Sequence, residues 1–401
     1  MTDRPAATAD ALYAAVKASV PGDTVSLAKG GYGRASLNGL NVAAPGVTIR
    51  PQPGAKPVFN NIEHSGSSGL HYASGIEVLI ADPTQHNASY GVFAYGCHDI
   101  SFEGLKVHGK TPARTRPAQG VGVFIRGCTG RMRLSACEVY DLAVGVSNMD
   151  SVGTAISNCD FHDLMTDGID NAGASGVVIE ANSFHDFFPT PDAHPDAIQF
   201  WGTPTNPQGR DAVVTGNRIW RGVGHTIDPD GSPNPTLLPM QGVFAEDQAN
   251  MTITGNAMVG TLYNGISVSG TATALIEGNL VQGAADMGSR IIARGGSSDV
   301  TVRDNTISEP VVNLQQAGDA PNLRFTLGDN ATIAAASADA LGPVLIEAWL
   351  SSRDPGEPPA PPEPDPRDAQ IAELTARATQ AEATLADVEA RIAAAKAALD
   401  A

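Results

Sequence analysis

Charged, aromatic and cysteine residues are all scarce in this chain. Charged side chains make up 17% of the 401 residues and aromatic ones 5%, which is low for a helical protein whose outer faces are fully solvated. Four cysteines are too few to form a disulfide scaffold in a chain of this length. The 43 glycines and 28 prolines instead favour many short strands joined by many turns.

Positive charge is scarce as well. The 25 Lys and Arg residues stand against 43 Asp and Glu, a net charge of −18, so the surplus of cations that binds nucleic acid or an anionic membrane is missing. No apolar run approaches the roughly 18 residues of a transmembrane helix. The first twenty residues lack the continuous apolar core of a secretory signal, because they are interrupted by the charged residues Asp3, Arg4, Asp10 and Lys17. We therefore expect a protein made in the cytoplasm, without a nucleic-acid partner or membrane insertion.

Two motifs alternate along the chain. The first is an apolar strand that ends in Leu, Cys or Asn, and it occurs at Phe102–Leu105, Leu134–Cys137, Ile156–Cys159, Ile179–Asn182, Val214–Asn217, Ile253–Asn256, Ile276–Asn279 and Val302–Asn305. The second combines a small and a β-branched residue, and it occurs at Tyr90–Phe93, Val121–Phe124, Val144–Ser147, Asp167–Asp170, Asp196–Gln199, Gln241–Phe244, Asn264–Ser267 and Ser289–Ile292. Internal repetition of this kind indicates a stacked architecture.

The spacing of the motifs predicts the fold. From the third residue of the second motif to the end of the next first motif, the distance is 13 residues in five coils, 14 in two and 19 in one. A basic period of 22 to 23 residues is typical of an all-β, right-handed parallel β-helix, a single-stranded solenoid whose inward positions stack into aliphatic and Asn ladders. Cys137 and Cys159 fall in the Asn column, and we expect them to be buried free thiols.

The ends of the chain differ from the repeats. Leu12, Val16 and Val20 share one face of a predicted N-terminal helix, which would cover the open edge of the first coil. By these patterns the chain has five segments: residues 1–32 (cap helix and first strand), 33–335 (β-helix), 336–354 (closing segment), 355–367 (Pro-rich linker) and 368–401 (coiled-coil helix).

The last segment has apolar residues at alternating spacings of three and four. They are Ile371, Leu374, Ala378, Ala381, Leu385, Val388, Ile392, Ala395 and Leu399. This pattern favours self-association through a coiled coil, as a dimer or a trimer. The alternative is a lone amphipathic helix that docks on its own domain.

Insertions and polar residues cluster in the same coils. The long segments are 110–117, 187–195, 202–210 and 225–241, and loops from adjacent coils would build the walls of a cleft. The polar column beside it is Asp167, Asp196, Gln241 and Asn264, and a neighbouring column places Asp170 over Gln199. The sequence therefore predicts a ligand-binding cleft on this side of the stack.

Within the cleft, Asp167 is predicted to lie over Asp196, because neighbouring coils are about 4.8 Å apart. Two like charges at this distance raise the pKa of at least one carboxyl, which suits general-acid chemistry. His194 precedes Asp196, and Trp201 and Trp220 are candidate platforms for sugar rings.

Each candidate also has a structural alternative. The Asp-Gly dipeptide at Asp167 and the nearby Asp170 could be structural residues of a turn. His194 could be an exposed loop residue. Trp201 and Trp220 could cap the coil surface without binding a ligand. Asp228 and Asp230 resemble a turn more than a Ca²⁺ loop, so we expect no metal site.

The helix, the PGDTVSL turn and the coils over Ala11–Ile307 resemble the pectate-lyase-like right-handed β-helix superfamily. That superfamily includes polysaccharide lyases, polygalacturonase-type hydrolases, uronate epimerases and phage tailspikes. TDGID (Thr166–Asp170) resembles part of the polygalacturonase motif NTDG-x-D, which would make Asp167, Asp170 and Asp196 catalytic. MQGVFAED (240–247) lacks the GHG motif of those hydrolases, and SRIIAR (289–294) keeps only Arg290 of their RIK motif.

The resemblance also includes lyases and epimerases. Such an enzyme needs a base and a cation beside the sugar carboxylate, for which His194, Arg210 and Arg290 are candidates. A Ca²⁺ ion would then be a possible cofactor; otherwise none is expected.

Three functions follow as expectations. The first is a spike or fibre of a phage-like or gene-transfer particle, which is extracellular on that particle and binds a cell-surface polysaccharide with or without degrading it. Its partners would be other copies of the chain and other particle proteins. The second is a polysaccharide-cleaving enzyme, a hydrolase more readily than a lyase or epimerase. The third is a purely structural rod.

Overall fold

The computed structural model describes residues 1–80, 89–113, 120–189, 193–222, 240–314, 324–336 and 342–352. Contacts within the chain divide it into Met1–Trp349 and Leu350–Ala401. The predicted linker (355–367) and coiled coil (368–401), together with Asp228 and Asp230, lie outside the described residues. The architecture below is that of the first unit.

The strands stack in parallel on three faces, as a right-handed parallel β-helix. Face 1 is a 13-stranded sheet formed by β1 (Asp3–Ala6), β2 (Thr24–Leu27), β4 (Val47–Pro51), β6 (Ser68–Tyr72), β9 (His98–Glu103), β12 (Met132–Ser135), β15 (Thr154–Ser157), β18 (Val178–Glu180), β22 (Val213–Thr215), β26 (Met251–Thr254), β29 (Ala274–Glu277), β32 (Asp299–Arg303) and β35 (Arg324–Leu327).

The first motif of the repeat thus forms face 1, as its spacing predicts. Face 2 follows the ladder residues and consists of β3 (Gly30–Ser36), β5 (Pro57–Ser65), β7 (Glu77–Ile80), β10 (Lys106–Gly109), β13 (Glu138–Leu142), β16 (Asp160–Leu164), β19 (Ser183–His185), β23 (Arg218–Trp220), β27 (Ala257–Val259), β30 (Leu280–Gln282), β33 (Thr306–Ile307) and β36 (Ala331–Thr332).

The second motif forms face 3. Its strands are β8 (Tyr90–Tyr95), β11 (Val121–Arg126), β14 (Val144–Met149), β17 (Ile169–Ala172), β20 (Asp196–Trp201), β24 (Gln241–Glu246), β28 (Tyr263–Ser269), β31 (Ser289–Arg294) and β34 (Val312–Leu314). Faces 2 and 3 are joined through β5, which pairs with both β7 and β8. A separate pair, β21 (Gly209–Arg210) and β25 (Gln248–Ala249), lies outside the three faces.

The core is a set of aliphatic columns inside the stack. On face 3 one column is fully buried and consists of Val92, Val123, Val146, Ile169, Ile198, Val243, Ile266 and Ile291. Because side chains alternate across a strand, the residues that follow this column point outward. The column therefore fixes which side chains of face 3 can meet a ligand.

A glycine precedes the aliphatic column in most coils for a steric reason. A Cβ on Gly145 would lie 2.4 Å from the carbonyl oxygen of Gly168 and 2.8 Å from a ring carbon of Phe161. A Cβ on Gly168 would lie 2.7 Å from a ring carbon of Phe184. The Gly of the Asp-Gly pair 167–168 is therefore required by packing, whatever Asp167 does.

The ladder between faces 1 and 2 is a chain of buried amides. Asn256 Nδ2 donates to the Val214 carbonyl at 3.0 Å and to Asn279 Oδ1 at 3.0 Å, and Asn217 Nδ2 donates to Asn256 Oδ1 at 2.9 Å. Asn182 continues it, and the Cys159 backbone N–H donates to Asn182 Oδ1 at 2.9 Å. Cys137 and Cys159 are buried free thiols in this column, which confirms the prediction.

The N-terminal cap is a helix preceded by a strand. Helix α1 (Ala9–Lys17) begins at Thr8, whose hydroxyl accepts from the Ala11 N–H at 3.1 Å. Leu12 and Val16 are buried in the core, as predicted. The prediction that Val20 shares this helical face is wrong, because α1 ends before Val20 and the Val20 side chain is 58% exposed. A second helix, α2 (Pro343–Ser352), follows the coils.

Candidate functional site

The polar residues of face 3 come together because the coils stay in register. Asp170 pairs with Gln199 on the adjacent strand, as their spacing predicts. Three residues before this pair in the same two coils, the Asp196 backbone N–H donates to Asp167 Oδ1 at 2.9 Å. Asp167, Asp170 and Asp196 therefore form one group, which we call the acidic cluster.

Two cavities meet at the acidic cluster. The first has a volume of about 600 Å³ and is lined by Phe124, Ser147, Asp167, Asp170, Trp201 and other residues. The second has a volume of about 410 Å³ and is lined by Asp196, Gln199, Gln241, Phe244, Asn264, Arg294 and others. His194 lines both cavities, so its exposed side chain lies at their junction. We call the two cavities together the cleft.

Asp196 is the most deeply buried member of the acidic cluster. Its side chain is 1% exposed, and its Oδ1 has no hydrogen-bond partner among the described residues. Burial raises the pKa of Asp196 well above its ordinary value, and the charges of Asp167 and Asp170 raise it further. Burial and the two neighbouring carboxyls thus both favour the protonated form of Asp196.

The other two carboxyls are also shifted. Burial raises the pKa of Asp167 to about 7, although the N–H of Asp196 and the charge of His194 act in the opposite direction. Burial likewise raises the pKa of Asp170, while the hydrogen bond from Trp201 opposes the shift. The sequence predicted this direction from like charges, but desolvation is the larger cause.

Trp201 is held at the edge of the cleft. Its Nε1 donates to Asp170 Oδ1 at 2.5 Å, and the side chain is 38% exposed. A ring with its polar atom fixed to a neighbour and its carbon atoms in contact with solvent can bind an amphipathic ligand. The role of Trp201 as a platform for a sugar ring stays a prediction.

A line of polar side chains continues from the acidic cluster along the stack. Gln241 pairs with Asp196 in register, and Asn264 Nδ2 donates to Gln241 Oε1. Arg294 then donates from Nη2 to Asn264 Oδ1 at 2.9 Å and from Nε to Ser267 Oγ at 2.9 Å. The second cavity thus has a polar floor in which Asn264 is hydrogen-bonded to both Gln241 and Arg294.

Three predicted residues lie away from the cleft. Trp220 is on face 2, where its ring stacks on His185 with centroids 4.3 Å apart. Arg290 forms an ion pair with Glu309 and lies over the Tyr263 ring at 5.5 Å. Arg210 belongs to β21, where its N–H donates to Ser175 Oγ at 3.3 Å. Among the described residues these side chains do not line either cavity.

The arginine that lines the cleft is Arg294. It ends the same hexapeptide, SRIIAR, that contains Arg290. Arg294 pairs in register with Leu314 at the end of β31, in the column that also contains Glu246 and Ser269. The signal that could have identified it is its position five residues after the start of the motif, which Trp201 and Glu246 share.

In the described part of the chain, no group of three or more His, Cys, Asp or Glu side chains is arranged to hold a metal ion. Neither of the helices described above is long and apolar enough to cross a membrane.

With fold and cleft established, the family can be assigned. The family model "Right handed beta helix region" matches residues 68–190 and 122–307, and the chain belongs to this family. The resemblance to pectate-lyase-like β-helix proteins is thereby confirmed at the level of the fold. No curated protein sequence matches the chain significantly.

Several solved structures are similar to this chain at low sequence identity. The GH136 lacto-N-biosidase from Eubacterium ramulus is 13% identical with a TM-score of 0.54, over 83% of this chain and 68% of that one. The catalytic unit of the thermostable GH87 alpha-1,3-glucanase from Streptomyces thermodiastaticus strain HF3-3 is 16% identical with a TM-score of 0.50, over 82% and 66%. The Dettilon tailspike protein (gp208) is 13% identical with a TM-score of 0.44, over 79% and 64%.

Proposed function

We propose that the protein binds a polysaccharide along the cleft and serves as a spike or fibre of a phage-like particle. One observation carries the binding proposal: two cavities on face 3, which share His194 in their linings, lie beside the acidic cluster in adjacent coils. Six strand steps separate β11 from β31, which at about 4.8 Å per step gives roughly 29 Å. A cleft of this length suits an extended polymer better than a small molecule.

The composition of the cleft supports a sugar ligand. Its floor offers carboxyl, amide and guanidinium groups, and its rim offers the rings of Phe124, Trp201 and Phe244. Sugars have hydroxyl edges and apolar ring faces, so this mixture complements them. Solved structures similar to this chain include proteins described as a lacto-N-biosidase and an alpha-1,3-glucanase, which supports the same class of ligand.

The appendage role rests on the C-terminal sequence. A Pro-rich segment (355–367) precedes the predicted coiled coil (368–401), and linked copies would present several clefts at high effective concentration. Self-association would therefore convert weak binding by one cleft into stable attachment to a cell surface. Other particle proteins would be further partners.

Two measurements test this proposal on the full chain. Sedimentation velocity should show an oligomer that Leu385→Asp in the predicted seam dissociates and Gln380→Glu outside the seam does not. The wild type should be retained on an array of bacterial surface polysaccharides, and Leu385→Asp should bind it at least tenfold more weakly. A monomeric wild type without retention on any polysaccharide would overturn the proposal and favour a structural rod.

Hydrolysis is a second candidate function, which the state of Asp196 favours. A buried carboxyl whose pKa is raised, as that of Asp196 is, can donate its proton to the glycosidic oxygen as the bond to the anomeric carbon breaks. Asp167, whose pKa is about 7, can accept a proton from the water that attacks the anomeric carbon. The proton that Asp196 loses to the leaving sugar is thus matched by the proton that Asp167 gains.

The hydrolase candidate is tested by the products. Incubation with the retained polysaccharide should release reducing ends, and Asp196→Asn and Asp167→Asn should each lower that rate about 10²-fold or more. Full turnover in both variants would exclude these carboxyls. An unsaturated, ultraviolet-absorbing product would instead indicate a lyase.

A further inference from the structure

The outward column of face 3 contains a gap beside the acidic cluster. In consecutive coils the column reads Phe93, Phe124, Ser147, Asp170, Gln199 and Phe244. The small side chain of Ser147 thus lies between an aromatic ring and a carboxyl. Ser147 lines the first cavity together with both of these neighbours.

Phe124 is covered on one side and open on the other. Phe93 stacks on it with centroids 5.6 Å apart and planes 5° from parallel, and Tyr90 contacts it at 4.7 Å with a 36° tilt. Both residues belong to β8, on the side of Phe124 away from Ser147. Stacked rings prefer centroid separations of about 4.5–7 Å, so the position over Ser147 is where the next ring of the column would lie.

The walls of the gap have two characters. Phe124, Val144 and Met149 form an apolar wall, and Thr166, Asp167 and Asp170 form a polar one. Phe124 and Asp170 are two coils apart, about 10 Å, so one layer of about the thickness of a ring fits between them. A ring with an apolar face and hydrogen-bonding edges satisfies both walls.

We propose that one pyranose unit of the bound polysaccharide occupies the gap over Ser147, stacked on Phe124, with its hydroxyl groups directed to Asp167 and Asp170. This subsite rests on the proposed binding of a polysaccharide in the cleft. The unit is a neutral sugar, because two aspartates border the gap and a uronate there would add a third acidic group. The aromatic column, and not only the acidic cluster, therefore selects the sugar.

The variants follow from the geometry. Ser147→Phe fills the gap with a side chain of the kind that precedes it in the column, and Phe124→Leu keeps apolar volume but removes the ring. Phe124→Tyr restores the ring. Ala155→Phe is the matched control, because it adds the same group at a half-buried position on face 1, on the strand that follows β14 in the chain.

The test uses the full chain and two sets of probes. Saturation-transfer NMR is recorded with methyl glucoside, methyl galactoside, methyl mannoside and methyl glucuronide, and affinity is measured for the polysaccharide retained on the array. We expect transfer to a neutral methyl pyranoside and not to the glucuronide. Ser147→Phe should abolish the transfer and weaken polysaccharide binding at least tenfold. Phe124→Leu should weaken it about three- to tenfold, while Phe124→Tyr and Ala155→Phe stay within twofold of the wild type.

The outcomes separate the two proposals. If the wild type retains a polysaccharide and Ser147→Phe and Phe124→Leu bind it equally well, the subsite is wrong and the binding function stands. Transfer to the glucuronide alone would also overturn the neutral subsite. If the wild type binds no probe of either set, the binding function itself fails. Thermal unfolding of each variant checks folding, and Phe124→Leu decides the question if Ser147→Phe does not fold.

Discussion

The backbone N–H of Asp196 is hydrogen-bonded to Oδ1 of Asp167 at 2.9 Å, although the two residues are 29 positions apart in the chain. Stacking of adjacent coils creates this contact, and the same stacking buries Asp196 and half-buries Asp167. Their raised pKa values therefore follow from the fold. Stability and chemistry should both depend on pH through this pair.

The first prediction concerns stability and Asp167. A carboxyl whose folded pKa is raised stabilises the fold fully below its unfolded pKa and loses that contribution as pH rises through the folded pKa. For Asp167 this window runs from about pH 4 to about 7. Relative to Asp167→Asn, the wild type should lose roughly 4 kcal/mol of unfolding free energy between pH 4 and pH 8, because the pKa shift spans about three units. Urea denaturation at each pH measures this, with the exposed Asp3→Asn as control, and a constant difference would contradict it.

The second prediction concerns the pH dependence of any polysaccharide cleavage. Asp167 must be ionised to act as a base, and its pKa is about 7, while Asp196 must stay protonated. Activity should therefore rise as the pH increases toward and through about 7. An initial-rate profile of reducing-end release tests this, and a maximum near pH 4 to 5, as for an ordinary carboxyl pair, would reject the assignment.

The third prediction concerns His185 on face 2. Burial by itself lowers the pKa of His185, but hydrogen bonds and charges from Asp160 and Asp186 outweigh it and raise the pKa to about 9. The stabilisation is complete below the unfolded pKa near 6.5 and is lost as pH rises through about 9. His185→Gln should thus cost about 1–3 kcal/mol more at pH 6 than at pH 10.

Chemical denaturation at the two pH values measures this difference. Asp160→Asn combined with Asp186→Asn should reduce it, because these carboxylates accept from His185 at 3.1 and 2.6 Å. An equal cost of His185→Gln at pH 6 and pH 10 would show that the imidazole is not stabilised in its charged form.

The fourth prediction concerns the Asn ladder. Asn256→Leu removes bonds to Asn279, Asn217 and the Val214 carbonyl, and it leaves buried polar groups unsatisfied at about 1–3 kcal/mol each. We expect a loss of about 3 kcal/mol or more in unfolding free energy. Asn60→Leu, at an exposed strand position, should change it by about 0.5 kcal/mol or less. Similar effects of the two substitutions in urea denaturation would contradict the ladder's role.

The repeat predicted face 3 well because register propagates from coil to coil. Once Ile169 and Ile198 are aligned as core residues, Asp170 must lie over Gln199. Trp220 lies on face 2, and its position three residues after Asn217 equals that of His185 after Asn182, which identifies this face. Arg290 and Arg294 belong to the same hexapeptide. Arg290 forms an ion pair with Glu309, whereas Arg294 lines the cleft. The sequence does not show this difference, because it depends on where Glu309 lies in space.

The sequence alone determined the stack: its period, the aliphatic and amide columns, and the meeting of Asp167 with Asp196, because these depend on spacing that every coil repeats. The tertiary structure decided which side chains reach the cleft and how acidic the carboxyls are. Those properties depend on burial and on partners from distant segments, such as Arg294 beside Asn264 and Trp201 beside Asp170. Desolvation and pairing depend on position in space, so they become visible only when the coils are assembled.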